Sequence, residues 1–135
     1  MAEPARRAFP AITEANKHFW CGGTDGKLHI LRCGACRHWV HPYAGRCTSC
    51  HKPGLTPQPV SGLGTVTGFT VNHQPWVPGL DVPYVVAIVT LDEQADLRLM
   101  TNMPKTPIED VRIGMKVKVF FERHGDIHLP LFEAA

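Results

Sequence analysis

The sequence predicts a mainly β protein that begins with a short helical segment. Glycine and proline each occur 12 times in 135 residues, which favours short strands and shaped loops over long helices. Runs of alternating or continuous β-branched residues recur from Val60 onward. Two C-x-x-C pairs lie between Cys33 and Cys50. We therefore expect three parts: a helical segment at residues 1–26, a cysteine-bearing unit at 27–58 and a β domain at 59–135.

The first segment has a helical pattern of apolar residues. Pro10 suits a first helical turn, and Gly22 with its neighbouring glycine ends the run. Such a segment cannot bury itself, so it must dock on another surface. Phe19 and Trp20 are the predicted anchors, and they have two candidate surfaces: the rest of this chain, or another subunit.

The cysteine-bearing unit reads as a small hairpin. "KLHILR" enters it as a short strand, and "HWVHP" can pair back against that strand. "HKPGLTPQP" leaves it as a proline-rich segment, which we predict to be a linker.

The third part reads as five strands with one short helix. The predicted strands are "GTVTGFTVNH", "PYVVAIVTL", "LRLMTN", "KVKVFFER" and "IHLPLF". The second of these is nearly continuous in β-branched residues, which is typical of a strand covered on both faces. "TPIED" predicts the helix, with Thr106 as N-cap, Pro107 at the first position and Glu109 closing a capping box. Five strands with a helix between the third and fourth match the OB-fold, a small, partly open barrel.

Four cysteines at this spacing predict a metal cage. A tetrahedral zinc site of four thiolates needs two C-x-x-C turns brought together by a short hairpin, and the intervening residues have the right length. The predicted ligands of one structural Zn²⁺ per chain are Cys33, Cys36, Cys47 and Cys50. A redox pair would need a C-x-x-C at a helix start in a βαβ context, which neither pair has. A catalytic zinc needs an open position, with His38, His41 or His51 as an alternative ligand.

Charge is distributed unevenly along the chain. The formal net charge is only +2, which does not favour a protein whose main task is to bind phosphate backbones. No Asp or Glu occurs between Asp25 and Asp81. Five basic residues occur there, and we expect them to offset the charge of the four thiolates. The fifth cysteine, Cys21, is expected to be a small buried apolar residue.

The N-terminal sequence "MAEPARRAFP" contains no apolar run, so we expect no signal peptide. No stretch of the sequence approaches the roughly 18 apolar residues that a membrane span needs, so we expect no span. We expect a cytoplasmic location. In that reducing compartment, paired cysteines more often bind metals than form disulfides.

Few residues suggest catalysis by this chain itself. The sequence contains no G-x-S-x-G, H-E-x-x-H or phosphate-binding loop. His73 is the best single candidate, and an ordinary loop histidine is the alternative. It opens the segment "HQPWVPGLDVPY", which contains Trp76 and ends at Tyr84. Proline stiffens such a segment and lowers the entropy lost on docking, so we predict contact with a partner or ligand there. The alternative is a loop folded over the barrel end.

A second functional class is single-stranded nucleic-acid binding, since OB-folds often serve it. The predicted second strand has no basic residue, and the third has only Arg98. This composition makes nucleic-acid binding the less favoured hypothesis.

The chain resembles the domain-of-unknown-function-35 (DUF35) family, a rubredoxin-like zinc ribbon joined to an OB-fold. The resemblance rests on "FW-x-GG-x(2)-GKL", the four-cysteine ribbon, "G-x-G-x-V-x-x-F-T-V", "PYVVAIVTLDE", "RLMTN" and "RIGMKVKVFF", and runs from about Phe19 to Phe132. The chain departs from the usual pattern at "HPYAGRC", and in having His51 where a glycine is usual.

This resemblance implies a function. Members of the family are accessory partners of thiolase-like enzymes that act on acyl-CoA thioesters, in thiolase, acyltransferase and steroid side-chain aldolase assemblies. The chain would then be a non-catalytic, zinc-binding subunit that stabilises its partner and helps to shape the acyl-CoA site. Enzymatic activity would belong to the complex, with acyl-CoA bound at the shared interface.

Overall fold

The computed structural model describes residues 9–76, 79 and 81–135. The first eight residues of the predicted helical segment lie outside the described residues, as do 77, 78 and 80 of the predicted contact loop. Two antiparallel sheets dominate the described chain, one of three strands and one of five. The prediction of a mainly β protein is therefore confirmed.

The N-terminal segment contains much less helix than its sequence pattern predicts. Among the described residues 9–26, the one α-helix is a single turn, α1, Lys17–Trp20, followed by a 3₁₀ helix at Gly22–Asp25. The predicted helix start at Pro10 is wrong. The Asn16 side chain accepts a hydrogen bond from the backbone N–H of Thr13 and donates one to the carbonyl of Ala11. These local bonds satisfy backbone groups that a helix would otherwise use.

The cysteine-bearing unit is a three-stranded sheet in the order β2-β1-β3. Its strands are β1 at Leu28–Cys33, β2 at Trp39–Val40 and β3 at Leu55–Val60. The two predicted strands are confirmed, but the predicted linker is wrong, because it forms β3. Proline is tolerated there because β3 lies at the sheet edge, where a missing N–H interrupts no ladder. We call this sheet and its cysteine loops the ribbon.

The five predicted strands of the third part are confirmed. They are β4 at Leu63–Asn72, β5 at Tyr84–Leu91, β6 at Arg98–Asn102, β7 at Lys116–His124 and β8 at Ile127–Ala134. Their order in the sheet is β6-β5-β4-β7-β8, and we call this sheet the barrel. The hydroxyl of Thr101 on β6 donates a hydrogen bond of 3.3 Å to the carbonyl of Pro130 on β8, so the two edge strands approach each other.

Two details of the barrel differ from the sequence-based expectation. Strand β5 is not covered on both faces: Val85, Ala87 and Val89 are buried, whereas Ile88 is exposed. Because β5 carries apolar residues on both faces and only one face is buried, part of its apolar surface is exposed to solvent. The predicted capped helix is a single 3₁₀ turn at Ile108–Asp110 without a side-chain cap.

The ribbon and the barrel pack around one buried core, and strand β1 of the ribbon contributes side chains to it. Leu28 and Ile30 of β1 belong to the same buried cluster as the inward side chains of the barrel. Leu31 and Cys33, on the opposite face, belong to a second small cluster around the cysteines. The predicted boundaries after residues 26 and 58 stay predictions, and β3 crosses the second.

The turn between β5 and β6 provides a polar link between the two units. The Gln94 amide accepts a hydrogen bond from the backbone N–H of Trp39, at 3.0 Å, and donates one to its carbonyl, at 2.9 Å. It thereby pairs with β2 as a neighbouring strand would. Glu93 accepts a hydrogen bond of 2.7 Å from the backbone N–H of Ser61, at the junction of ribbon and barrel.

The N-terminal segment docks on the same chain. Phe19 is buried in the main core, where its ring lies 4.6 Å from the ring of His41 and 4.7 Å from that of Trp20. Burial, together with the neighbouring His18, lowers the pKa of His41 to about 4. Burial lowers the pKa of His18 as well. The packing therefore favours neutral histidines.

None of the helices in the described part of the chain is long and apolar enough to cross a membrane.

Replacing Gln94 by leucine should lower the free energy of unfolding by about 1–3 kcal/mol, because the N–H and carbonyl of Trp39 lose their partners in a largely buried place. Urea unfolding monitored by tryptophan fluorescence measures the change. Gln58→Leu, on the half-buried β3, is the matched control and should cost less. Equal stabilities of the two variants would contradict the linking role of Gln94.

Stability should depend on pH through His41. Its folded pKa of about 4 lies below the ordinary value of 6.5, so the unfolded chain binds more protons between these values. Stability is therefore full above pH 6.5 and is lost as the pH falls toward 4, by no more than about 3 kcal/mol.

Urea unfolding between pH 4 and 7.5 tests this dependence. His41→Phe should keep the aromatic packing and show a shallower loss of stability than the wild type. The exposed His73→Phe should follow the wild-type curve, and a His41→Phe curve parallel to it would refute the assignment.

Candidate metal centre

Four cysteine sulfurs meet at the end of the ribbon. The Sγ atoms of Cys33, Cys36, Cys47 and Cys50 all lie within 4.8 Å of one another. Two of the cross-pair distances are 3.6 Å, between Cys33 and Cys50, and 3.5 Å, between Cys36 and Cys47. Sulfurs about 2.3 Å from a common zinc at tetrahedral corners would be about 3.8 Å apart, so the cluster has the size of a metal cage.

Each C-x-x-C pair forms the same backbone turn. In the first, the N–H groups of Ala35 and Cys36 point at the sulfur of Cys33, at 3.4 and 3.5 Å. In the second, the N–H groups of Ser49 and Cys50 point at the sulfur of Cys47, at 3.3 and 3.4 Å. The first cysteine of each pair is thus prepared for the thiolate form.

The residue after each pair completes the turn. Arg37 and His51 have left-handed backbones, with φ of 68° and 63°. Their N–H groups donate to the carbonyls of Cys33 and Cys47, both at 3.0 Å. The departure from the family pattern at His51 therefore leaves the turn intact.

Hydrogen bonding and burial shift the pKa values of three of the thiols. The backbone N–H of Cys36, helped by that of Ala35, lowers the pKa of Cys33 to about 6 against the effect of burial. The N–H of Cys50 lowers the pKa of Cys47 in the same way. The backbone N–H of His38 acts likewise on Cys36, but burial and the other sulfurs outweigh it and raise the pKa of Cys36 to about 11. A cation beside Cys36 would favour its thiolate form at neutral pH.

The donor set fits a closed, structural metal site. Within the described residues, these cysteines are the one group of three or more His, Cys, Asp or Glu side chains arranged to hold an ion. The alternative ligands His38, His41 and His51 are not part of this group of cysteines. Four protein ligands fill a tetrahedral shell and leave no position for substrate.

The structure separates the predicted contact residues into two places. Phe19 is buried and Trp20 partly buried in the intramolecular core. His73, Trp76 and Tyr84 lie together at one end of the β4–β5 pair, where Tyr84 is the cross-strand partner of Asn72. Trp76 is 72% exposed, and its indole N–H donates to the Asn72 side chain at 3.2 Å.

Cys21 is only half-buried and lines two surface grooves beside α1, of about 480 and 600 Å³. The expectation of a fully buried residue is therefore wrong.

Sequence reasoning missed the role of Gln94. Its side chain contacts a residue 55 positions away, and the sequence carries no signal for such a pairing. It also missed the left-handed backbones of Arg37 and His51, since glycine is the usual marker of that conformation.

A four-cysteine ribbon that shares a core with a five-stranded barrel, and whose sulfurs lie close enough to hold a metal ion, defines the architecture of this chain. The family model for the "ChsH2, C-terminal OB-fold domain" matches residues 57–122, so the barrel is an OB-fold. The chain belongs to the DUF35 family.

Solved structures of other proteins resemble this chain, among them the following two. The "Ltp2-ChsH2(DUF35) aldolase" contains a chain that is 31% identical, with a TM-score of 0.82 over 93% of this chain and 98% of that one. A DUF35-family protein of unknown function from Sulfolobus solfataricus is 15% identical, with a TM-score of 0.64 over 90% of this chain and 86% of that one. The Sulfolobus solfataricus protein therefore shares the fold of this chain.

Three curated proteins match the sequence. A probable enoyl-CoA hydratase alpha subunit of Thermomonospora curvata is 33% identical, and the 3-oxo-4,17-pregnadiene-20-carboxyl-CoA hydratase alpha subunit of Mycobacterium tuberculosis is 31% identical; each match covers 97% of this chain and 41% of the relative. The chain thus spans about two fifths of their length. A DUF35 domain-containing scaffold protein of Methanocaldococcus jannaschii is 34% identical over 69% of this chain and 66% of the relative.

Changing one ligand should empty the cage. Cys33→Ser or Cys47→Ser removes a thiolate that two backbone N–H groups help to prepare, so the bound metal should fall from one ion per chain to near zero. Elemental analysis by mass spectrometry of the purified protein measures it. Cys21→Ser, outside the cage, should retain the metal. Full metal content in either ligand variant would disprove the site.

Proposed function

We propose that this chain is a non-catalytic accessory subunit of an acyl-CoA enzyme complex with a thiolase-like partner, of the aldolase type. The observation that carries the proposal is the near-complete match to the DUF35 chain of an Ltp2-ChsH2 aldolase, at a TM-score of 0.82. The likeness covers 98% of that chain, so it extends over both ribbon and barrel.

The metal in this proposal is one structural Zn²⁺. Four thiolates in a closed tetrahedron are typical of structural zinc, which contributes directly to folding. The absence of an open position supports a role for the metal in holding the ribbon rather than in chemistry.

The accessory role has separate support. The Methanocaldococcus jannaschii relative is described as a scaffold protein, and this chain is 34% identical to it. The hydratase relatives favour acyl-CoA thioesters as the substrate class. Their hydration chemistry is not part of the proposal, because the chain spans only 41% of each.

The end of the β4–β5 pair is the proposed contact with the partner. Trp76 is 72% exposed, yet its indole is held by Asn72, and Asn72 also donates to the Gln74 carbonyl at 2.9 Å. An exposed tryptophan held in one position loses little entropy on docking and suits an interface anchor. Beside it, His73 and Tyr84 would line the shared site.

Co-expression with the thiolase-like protein encoded nearest in the genome tests the proposal. We expect a stable complex on size-exclusion chromatography, and carbon–carbon cleavage of a β-hydroxyacyl-CoA by the complex but not by this chain alone. Turnover of an acyl-CoA by the isolated chain would overturn the accessory role. Oligonucleotide binding that weakens steeply with salt, without a protein complex, would favour the nucleic-acid hypothesis instead.

Trp76→Ala should weaken the complex at least about tenfold, as expected for loss of a central aromatic anchor. Isothermal titration calorimetry with the purified partner measures the affinity. Ile113→Ala is a suitable control, because Ile113 is 67% exposed on a different loop. Equal affinities of the two variants would remove Trp76 from the interface.

A further inference from the structure

The loops around the metal centre carry positive charge that the described structure leaves uncompensated. The acid-free interval between Asp25 and Asp81 contains the whole ribbon. Its five basic residues are Lys27, Arg32, Arg37, Arg46 and Lys52. Three of them, Arg37, Arg46 and Lys52, are exposed on the two cysteine loops, and we call these three the basic tip.

Arg32, the ribbon arginine outside the basic tip, makes its contacts within the chain. The guanidinium of Arg32 lies 4.5 Å from the centre of the Trp39 ring, and its Nε donates to the carbonyl of Arg37 at 2.8 Å. Arg32 is thus committed to holding β1 and β2 together.

The side chains of the basic tip form no ion pair with a carboxylate among the described residues. The ion pairs found among the described residues join His29 to Asp25, His38 to Asp96, Lys105 to Glu133 and His124 to Glu122, and none includes a residue of the tip. Among the described residues, the one hydrogen bond made by a tip side chain runs from Arg46 to the carbonyl of His51, at 3.4 Å.

The metal centre accounts for part of this charge. Four thiolates around a divalent cation carry a net charge of about −2, so the three tip cations leave about +1. Lys27 and Arg32 bring the ribbon to about +3. Exposed cations interact with the centre through water, where attraction is weak and screened. They therefore remain available to an external anion.

The shape of the surface indicates which anion fits. Small-molecule sites are concave, but none of the three tip residues lines either groove beside α1. The tip residues instead lie on two exposed loops that enclose the sulfurs. A small group of exposed cations of this kind suits an acidic surface on a larger protein partner. Three cations are too few to follow the phosphate backbone of a nucleic acid.

We propose that the basic tip docks on an acidic surface of the protein partner and steers the assembly of the complex. This inference rests on the proposed function, because the partner is the thiolase-like subunit named there. Complementary charge at such a contact raises the association rate and makes affinity sensitive to salt.

The test compares two charge-reversal variants of the metal-loaded chain, with the purified partner, at 50 and 500 mM NaCl. R37E/R46E/K52E alters the tip. R112E/K116E/K118E is the matched control, with three exposed cations of the barrel. Stopped-flow and calorimetric measurements give the association rate and the affinity, and elemental analysis gives the metal content.

The wild type should lose at least about tenfold in association rate between the two salt concentrations. The tip variant should associate at least about tenfold more slowly than wild type at 50 mM NaCl and show little dependence on salt. The barrel variant should behave like wild type. A tip variant with full metal content and the wild-type rate and salt dependence would overturn the inference.

A charge-neutral variant keeps the test decisive if the glutamates of the charge-reversal variant disturb metal binding by the four cysteines. R37Q/R46Q/K52Q removes the charge without adding acidic groups beside the thiolates. A lower metal content in this variant, with an unchanged rate and salt dependence for its metal-loaded fraction, would assign the cations to the metal centre and overturn the inference. If the wild type does not bind the partner at either salt concentration, the proposed function itself fails.

Discussion

Four cysteine sulfurs meet at the end of β1, and the geometry of the ribbon loops depends on what holds them together. The buried cluster around them contains Leu31, Cys33, Val40 and Cys47, and two of these four are proposed ligands. So small an apolar cluster contributes little toward the entropy of ordering the two cysteine loops. A metal bound to the folded arrangement would supply free energy for that ordering, because the unfolded chain does not present the four thiolates together.

The strand that ends at this centre also belongs to the core of the barrel. Leu28 and Ile30 face the barrel, while Leu31 and Cys33 face the cysteine cluster. The alternation of side chains along a strand lets β1 serve two cores at once. The Gln94 and Glu93 side chains add hydrogen bonds across the same junction. Ribbon and barrel are therefore coupled, and a metal bound by the four cysteines would help to fix the position of the ribbon relative to the barrel.

This coupling would allow the two proposed partner surfaces to act together. The held Trp76 lies at the end of the barrel strands, and the basic tip lies on the ribbon loops around the metal. The first is an apolar anchor that would mainly slow dissociation, and the second is a charged surface that would mainly speed association. A scaffold can use both together only if its two units hold a defined arrangement.

Features that depend on short-range pattern could be predicted from the sequence alone. Spacing identified the four cysteines, and alternating or continuous runs of β-branched and apolar residues located the five barrel strands, because C-x-x-C turns and strands are local. Other features depend on contacts between distant segments. Asn16 replaced the helix expected at Pro10 with local side-chain bonds, and the proline-rich segment became β3 because β1 offered it an edge. The pairing of Gln94 with Trp39 depends on two segments 55 residues apart coming together. Such contacts arise from the packing of distant elements, and no local pattern of residues encodes them.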